Sequence, residues 1–198
     1  MKKILVSLLV LTFFNQSFAK EFSDKEVGDF VEKIGNEIVE IANKNISENK
    51  KKSEIIKIID DSIDSNWIAR FVLSKNYRSA NEEQRKKFSE LYRQFMINTY
   101  GPKFKNYNGR KFTVNNVTKQ KTFYLVKAEF LPRDSNVPIS VDFRVKNDGA
   151  KLVVLDFIGE GISLIETQRS EFNSAISQHG MDGFLKILKE RVEKLVEA

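Results

Sequence analysis

Cysteine is absent from the 198 residues, and histidine occurs once, at His179. Without cysteine the chain has no disulfides, no thiol nucleophile and no thiolate metal site. A Ser-His-Asp triad needs its histidine in a packed cleft, whereas His179 precedes Gly180, the residue type that commonly ends a helix. We therefore interpret His179 as the end of a helix and predict no metal site.

Glycine and proline are also scarce, with nine and three residues. The glycines are scattered, and none forms a GxGxxG or GxxxxGK[ST] phosphate loop. The common catalytic and cofactor-binding patterns are missing, so the sequence favours a protein that is not an enzyme and needs no cofactor.

The first nineteen residues are typical of an export signal. Lys2 and Lys3 precede an apolar run at 4–14, and Ser17 and Ala19 supply the small residues of a cleavage site. The run is about eleven residues, short of the ~18 of a spanning helix. We predict a signal peptide at 1–19, cleaved after Ala19, and a single domain at 20–198; a retained signal anchor is the alternative.

The net charge is mild. Without the two signal lysines, 31 basic residues stand against 27 acidic ones. The basic residues gather at 50–52 and at Lys103, Lys105, Arg110, Lys111, Lys119 and Lys121. These clusters either form an ordinary solvated face or meet an anionic membrane surface or lipid headgroups. We expect no nucleic-acid partner, because an exported protein rarely meets one.

The first half of the chain has helical periodicity. Ser23 and Glu26 predict a capping box that opens a helix at 24–43, with Phe22 and Val27 as a hydrophobic staple. Further helices are predicted at 53–63, after Asp64 or Ser65, from Asn81 to Gly101-Pro102, and at the C-terminus. The fourth helix carries Phe88, Leu91, Tyr92, Phe95 and Met96 on one stripe.

From 111 to 158 the period changes to two, which predicts four strands in an antiparallel meander. A four-residue loop at 133–136 pairs Phe130 with Ile139 and sets Lys127 opposite Asp142. A tight turn at 148–149 pairs Val145 with Leu152. These registers place one apolar wall on the sheet: Tyr124, Val126, Ala128, Phe130, Ile139, Val141, Phe143, Val145, Leu152, Val154 and Ile158.

The aromatic helix stripes are expected to cover this wall, either as a filled core or around a ligand slot. Asp156 is the exception on the wall, opposite Val141, and an unpaired buried carboxylate is too costly to persist. It is interpreted as part of a network with Arg78, Arg169 or backbone amides after Gly161. The alternative is an acid–base carboxylate.

Several blocks resemble one family. They are Tyr77-Arg78-Ser79-Ala80 with Gln84, Arg85, Phe88 and Tyr100, Leu155-Asp156, Glu160-Gly161-Ile162-Ser163-Leu164, Gln168-Arg169 with Phe172, and 180–184. Together they resemble the MlaC family, the periplasmic phospholipid-binding or toluene-tolerance proteins of the maintenance-of-lipid-asymmetry system. Ser74 replaces a usual glycine and Glu82 a common proline, which puts local turn geometry in question.

The resemblance implies an α+β, NTF2-like fold with a twisted antiparallel sheet covered by helices and an apolar pocket between them for acyl chains. It implies a periplasmic phospholipid carrier that exchanges lipid with an outer-membrane lipoprotein-porin complex and an inner-membrane ABC transporter with a substrate-binding ring. The residues predicted to line the pocket are Trp67, Phe71, Phe88, Tyr92, Phe95, Tyr124, Val126, Ala128, Val141, Phe143 and Val154.

Two alternatives keep the fold but change the function. One is a small enzyme that uses Asp156 as the base beside Tyr124 in an apolar cavity. The other is an exported adaptor with a filled core, whose ligand is a protein segment.

Overall fold

A computed structural model describes residues 21–100 and 109–197. The predicted signal peptide, Gly101-Pro102, Lys103 and Lys105 lie outside these residues. The elements in chain order are α1 (Asp24–Asn43), α2 (Glu48–Ser62), α3 (Ser65–Leu73), α4 (Lys75–Ser79), α5 (Glu82–Tyr100), β1 (Gly109–Lys119), β2 (Tyr124–Pro132), β3 (Ile139–Asn147), β4 (Leu152–Gly159), β5 (Ile162–Ser163) and α6 (Leu164–Glu197). None of the described helices is long and apolar enough to cross a membrane.

Helix α1 begins and ends where the sequence predicts. Ser23 and Glu26 form the reciprocal capping box, with the Ser23 amide donating to Glu26 Oε2 at 2.9 Å. Glycines on its buried face let it approach β1 closely. A Cβ on Gly35 would lie 2.3 Å from the ring of Phe112, so a side chain has no room there.

The other helices differ from prediction at their edges. Helix α2 begins at Glu48 rather than 53, because its first turn is charged and carries no apolar periodicity. Asp64 caps α3 by accepting from the Trp67 amide at 2.9 Å, and the Asn81 carboxamide oxygen accepts from the Gln84 amide at 2.8 Å. The short helix α4 was not predicted, since five residues show too little periodicity.

Helix α6 contains a break at Gly180, where φ is 68°. The glycine adopts this left-handed conformation without steric cost, which divides α6 into two helical segments. His179 is exposed immediately before the break. The interpretation of His179 as a helix end is therefore confirmed.

The sheet has the order β1-β2-β3-β4-β5 and is antiparallel throughout, so the predicted meander is confirmed with one strand more than expected. The β2–β3 register is the predicted one, including Lys127 opposite Asp142. Strand β5 was missed because its two-residue turn is Glu160-Gly161, with positive φ at both residues. Two-residue turns with positive φ at both positions usually have the sequence Asn-Gly or Asp-Gly, whereas this one has glutamate at its first position.

The predicted β3–β4 register is wrong. Asn147, not Val145, is near the turn and pairs with Leu152, because Asp148 Oδ1 accepts from two amides and holds a four-residue loop. A bulge at Leu155 then reverses the alternation of β4. Phe157 therefore joins the wall opposite Phe143, while Ile158 and Asp156 leave it.

Two hydrophobic cores are packed separately. A helical core, from α3, α5 and α6, contains Ile68, Ala69, Val72, Leu73, Phe88, Leu91, Tyr92, Phe95, Ile165, Phe172, Ile176, Phe184, Leu185, Leu188 and Val192. A sheet core, between α1 and the strands, contains Val27, Val31, Val39, Phe112, Tyr124, Val126, Ala128, Phe130, Val141, Val145 and Leu152.

Candidate ligand-binding cavity

A cavity of about 270 Å³ lies at the junction of the helical core and the sheet core. Ligand pockets in proteins commonly span ~300–1,000 Å³, so the volume of this cavity lies just below that range. All the long helices and four strands contribute to its lining. Nine isoleucines line it: Ile34, Ile38, Ile55, Ile56, Ile59, Ile63, Ile68, Ile97 and Ile165.

The sheet forms one side of the cavity through the apolar wall. Phe143 lies between Phe112 and Phe157, with ring centroids 6.0 and 5.6 Å away and both rings edge-on. Val141 and Val154 lie beside them. Edge-to-face contacts fix these rings, so this side of the cavity has a defined shape.

Helix α2 covers the opposite side. Ile55 is buried, whereas Ile56, Ile59 and Ile63 are only half-buried and face the cavity. The end of α2 is joined to the sheet by a bridge between Ile63 and Val154, and the Asp64 amide donates to the Val154 carbonyl at 3.4 Å. The helix thus acts as an apolar cover tied to β4 at one end.

The rim of the cavity is charged. Lys52 and Asp60 from α2 and Arg93 from α5 are part of the lining. Arg93 Nε donates to Asp60 Oδ1 at 3.2 Å, and Arg93 Nη2 donates to Asp60 Oδ2. This two-point ion pair joins α2 to α5 at the cavity opening.

A small polar network lies deeper. The Tyr92 hydroxyl donates to the carboxamide oxygen of Gln168, and Gln168 Nε2 lies 3.1 Å from Met96 Sδ. Gln168 is 3% exposed, so these partners satisfy an amide that is out of water. Burial raises the pKa of Tyr92 and of Tyr100, which keeps both phenols neutral beside the apolar lining.

Asp156 is fully paired at the start of α6. Its Oδ2 accepts from Ser163 Oγ at 2.6 Å and lies 3.2 Å from Arg144 Nη1, while Oδ1 accepts from the Ile165 amide at 3.2 Å. Burial raises the pKa of this carboxyl, and the hydrogen bonds from Ser163 and Ile165 and the charge of Arg144 oppose that rise.

The predicted backbone-amide partner of Asp156 is confirmed, but the predicted arginines are wrong. The bulge at Leu155 moves Asp156 beside Arg144 on β3. Arg169 instead donates to Ser74 Oγ at 2.9 Å and lies over the ring of Phe71. The carboxylate therefore anchors the first turn of α6, where the partial positive charge of a helix N-terminus favours it.

Four of the eleven predicted pocket residues lie on the cavity: Tyr92, Val141, Phe143 and Val154. The other seven lie elsewhere. Phe88 and Phe95 are inside the helical core, and Trp67 and Phe71 are half-buried against it. Tyr124, Val126 and Ala128 are in the sheet core. Helix α1 covers the part of the sheet nearest β1 and β2, which removes these three from the cavity.

The isoleucines of α2 and its C-cap residue Ile63 were not predicted to line the cavity. Their spacing at 55, 56, 59 and 63 is a helical stripe, and that signal was present. It was obscured because the helix is otherwise charged, and because large aromatics elsewhere looked like better ligand contacts. Among residues 21–100 and 109–197 no group of three or more histidine, aspartate or glutamate residues could hold a metal ion.

The fold and the site define a class of small α+β proteins that enclose an apolar cavity between a sheet and a helical cover. The family described as MlaC protein matches residues 29–190. That is more than half of the chain, so the chain belongs to the MlaC protein family, and the resemblance seen in the sequence is confirmed.

Two relatives are informative. The intermembrane phospholipid transport system binding protein MlaC of Haemophilus influenzae is 21% identical over 123 residues, which cover 60% of this chain and 58% of that protein. This chain thus matches less than two thirds of that relative's length. The name of that relative describes a binding protein of a phospholipid transport system.

A solved structure shares the fold. The phospholipid-binding protein of Ralstonia solanacearum, solved in complex with a phospholipid, matches with a TM-score of 0.75 at 18% identity. The match covers 85% of this chain and 98% of the other. The predicted α+β fold with a helix-covered antiparallel sheet is confirmed.

Proposed function

We propose that this protein is a periplasmic phospholipid carrier that holds acyl chains in the cavity and performs no catalysis. The observation that carries this proposal is the cavity. Nine isoleucines line it, and it lies between the helical core and the sheet core. The phospholipid named for both relatives supports the same ligand class.

The energetics favour transfer between membranes over tight binding from water. Two acyl chains of about sixteen carbons contain roughly thirty methylenes, and moving all of them out of water at ~0.8 kcal/mol each would give about 24 kcal/mol. That exceeds the practical limit of non-covalent affinity, ~18 to 21 kcal/mol. The relevant reference is therefore the bilayer, where the chains are already out of water. A carrier that only matches the bilayer can both load and unload.

The carrier is proposed to work between two membranes. Residues 1–19 have the pattern of an export signal, which supports a periplasmic location. Following what the resemblance implies, we propose an outer-membrane lipoprotein-porin complex as one partner and an inner-membrane ABC transporter with a substrate-binding ring as the other.

The test is native mass spectrometry of the protein purified without detergent, followed by extraction and identification of the bound molecule. We expect one phospholipid per chain, with mixed headgroups. A ligand-free mass that persists after incubation with phospholipid vesicles would contradict the carrier.

The two alternatives have less support. An acid–base role needs a carboxyl free to exchange protons with a substrate, whereas Asp156 is held by Ser163, Ile165 and Arg144. Asp156→Asn should therefore reduce stability without removing any turnover. A protein-binding adaptor would have a filled core. The cavity of about 270 Å³ therefore favours the carrier over the adaptor.

A further inference from the structure

The ion pair at the rim of the cavity joins two helices, and it also places an arginine beside the apolar lining. We propose that Arg93 binds the phosphate group of the ligand, and that Asp60 occupies the Arg93 guanidinium until a phosphate replaces it. This inference rests on the proposed function, because it assigns a phosphate contact to the same cavity.

The contact between Arg93 and Asp60 has the geometry of such a site. Two guanidinium nitrogens, Nε and Nη2, face the two carboxylate oxygens of Asp60, with Nε and Oδ1 3.2 Å apart. A phosphate group presents two oxygens in the same arrangement to the same fork. It can therefore take the place of the carboxylate without reorienting the arginine.

The exchange is accessible because both partners touch water. The Arg93 side chain is 52% exposed and that of Asp60 is 32% exposed. Ion pairs this exposed are weak, and water solvates the carboxylate once it is displaced. Asp60 therefore holds Arg93 in place without competing strongly against a charged ligand.

A second cation lies farther along α2. Lys52 belongs to the lining, is exposed, and has no ion-pair partner in the part of the chain that the structure describes. Lys52 stands eight residues before Asp60 on α2, about 12 Å along the helix axis, so it attracts an anion toward the cavity at long range and does not contact a phosphate held by Arg93.

The position of Arg93 matches a ligand with an apolar tail. Met96 and Ile97 follow one helical turn later on α5, and Ile59 precedes Asp60 on α2; all three line the cavity. A phosphate bound at Arg93 would therefore leave the attached acyl chains facing the isoleucine lining, while the rest of the headgroup stays in water.

The experiment uses the full protein, stripped of lipid and incubated with vesicles that contain equal amounts of phosphatidylglycerol and diacylglycerol. The two lipids share acyl chains and differ in the phosphate headgroup. Bound lipid is quantified by native mass spectrometry and extraction for the unsubstituted protein, Arg93→Gln, Arg93→Lys, Asp60→Asn and the double variant. Arg191→Gln is the matched control, since Arg191 forms a similarly exposed pair with Glu171 and neither residue lines the cavity.

In Arg93→Gln the ratio of bound phosphatidylglycerol to bound diacylglycerol should fall about tenfold, the effect of losing one charge-assisted contact. Arg93→Lys should bind an amount of phosphatidylglycerol between those of Arg93→Gln and the unsubstituted protein, because lysine keeps the charge but cannot make the two-point contact. Asp60→Asn should retain more phosphatidylglycerol, and the double variant should match Arg93→Gln. The Arg191→Gln control should match the unsubstituted protein.

Equal phosphatidylglycerol in Arg93→Gln and in the unsubstituted protein would overturn this inference alone, as would an equal loss of both lipids. Binding of neither lipid by the unsubstituted protein would overturn the proposed function and this inference with it. A parallel titration with glycerol 3-phosphate separates the sources of phosphate. Binding of it that depends on Arg93 would keep the phosphate site but assign it to small soluble phosphates.

Discussion

The helical core and the cavity share Ile68, Tyr92 and Ile165, yet most of the side chains that form each region differ in type. In the helical core, Phe172 packs against Phe88, Phe95 and Phe184 with ring centroids 6.2, 5.9 and 5.1 Å apart. On the helical side of the cavity, the lining is mainly isoleucine and most of those isoleucines are only half-buried.

The difference has a physical basis. Aromatic rings gain from tilted and edge-to-face contacts with one another, so a cluster of them closes into a filled core. Isoleucine is branched at Cβ and stiff at χ1, so a row of isoleucines keeps its shape with one side unpacked. Among the helices, the aromatics fill the core and the isoleucines leave space for a ligand, whereas the sheet side of the cavity is formed by the rings of Phe112, Phe143 and Phe157.

The largest expected effect is on ligand content. Phe143→Asp should abolish lipid co-purification, because an ionised carboxylate beside acyl chains has no partner and loses its hydration. Phe30→Asp is the matched control, since Phe30 is also half-buried against the sheet core but does not line the cavity. Extraction and mass spectrometry of the folded fraction give the result; equal lipid in both variants would contradict the assignment of the cavity.

The second effect contrasts the two regions directly. Phe88→Ala should lower the free energy of unfolding by about 3–5 kcal/mol, because Phe88 is fully buried among other rings. Ile59→Ala should cost less than half of that, since Ile59 is half-buried beside existing space. Urea unfolding of both measures the difference. Similar losses would remove the distinction between a filled core and a lined cavity.

A third prediction concerns the shape of the cavity. Gly35→Ala should destabilise by about 1–3 kcal/mol and lower lipid occupancy, because the new Cβ would collide with Phe112 and push that ring. Gly28→Ala on the same helix is the control. Its Cβ would lie 3.3 Å from Val117 Cγ2 and 3.6 Å from Val114 Cγ1, neither of which lines the cavity, so it should leave lipid occupancy unchanged. Thermal unfolding and lipid extraction test both; a loss of lipid in Gly28→Ala would contradict the role given to Phe112.

The smallest effect lies at the edge of the helical core. Ser74 has φ 55° and ψ −127°, a conformation that favours glycine. Ser74→Gly should raise the free energy of unfolding by about 1 kcal/mol, because it relieves the backbone strain. Loss of the hydrogen bond from Arg169 to Ser74 reduces this gain. Ser79→Gly, in the helical conformation of α4, should instead destabilise slightly. Thermal unfolding compares them; a loss of stability in Ser74→Gly would contradict the strain at this residue.

The two departures from the family pattern, Ser74 and Glu82, both lie at helix ends. Ser74 occupies a positive-φ position where a glycine is expected, and Glu82 is the first residue of α5. Proline suits that first position because its missing amide hydrogen has no partner within the helix. The two substitutions therefore affect helix ends and lie outside the cavity lining.

The sequence by itself determined what depends on neighbours along the chain. The capping box of α1, the Asn81 cap of α5 and the β2–β3 register were predictable, because each follows from periodicity or turn length within a few residues. The family was predictable as well, from short blocks of residues in a fixed order.

Tertiary structure decided which apolar residues face the cavity. The same periodicity places Phe88 and Tyr92 on one stripe, yet α6 covers the first and leaves the second beside the cavity. The bulge at Leu155 moved Asp156 off the apolar wall to Arg144. A filled core and a lined cavity use the same kinds of side chain, so only the packing of distant helices against the sheet distinguishes them.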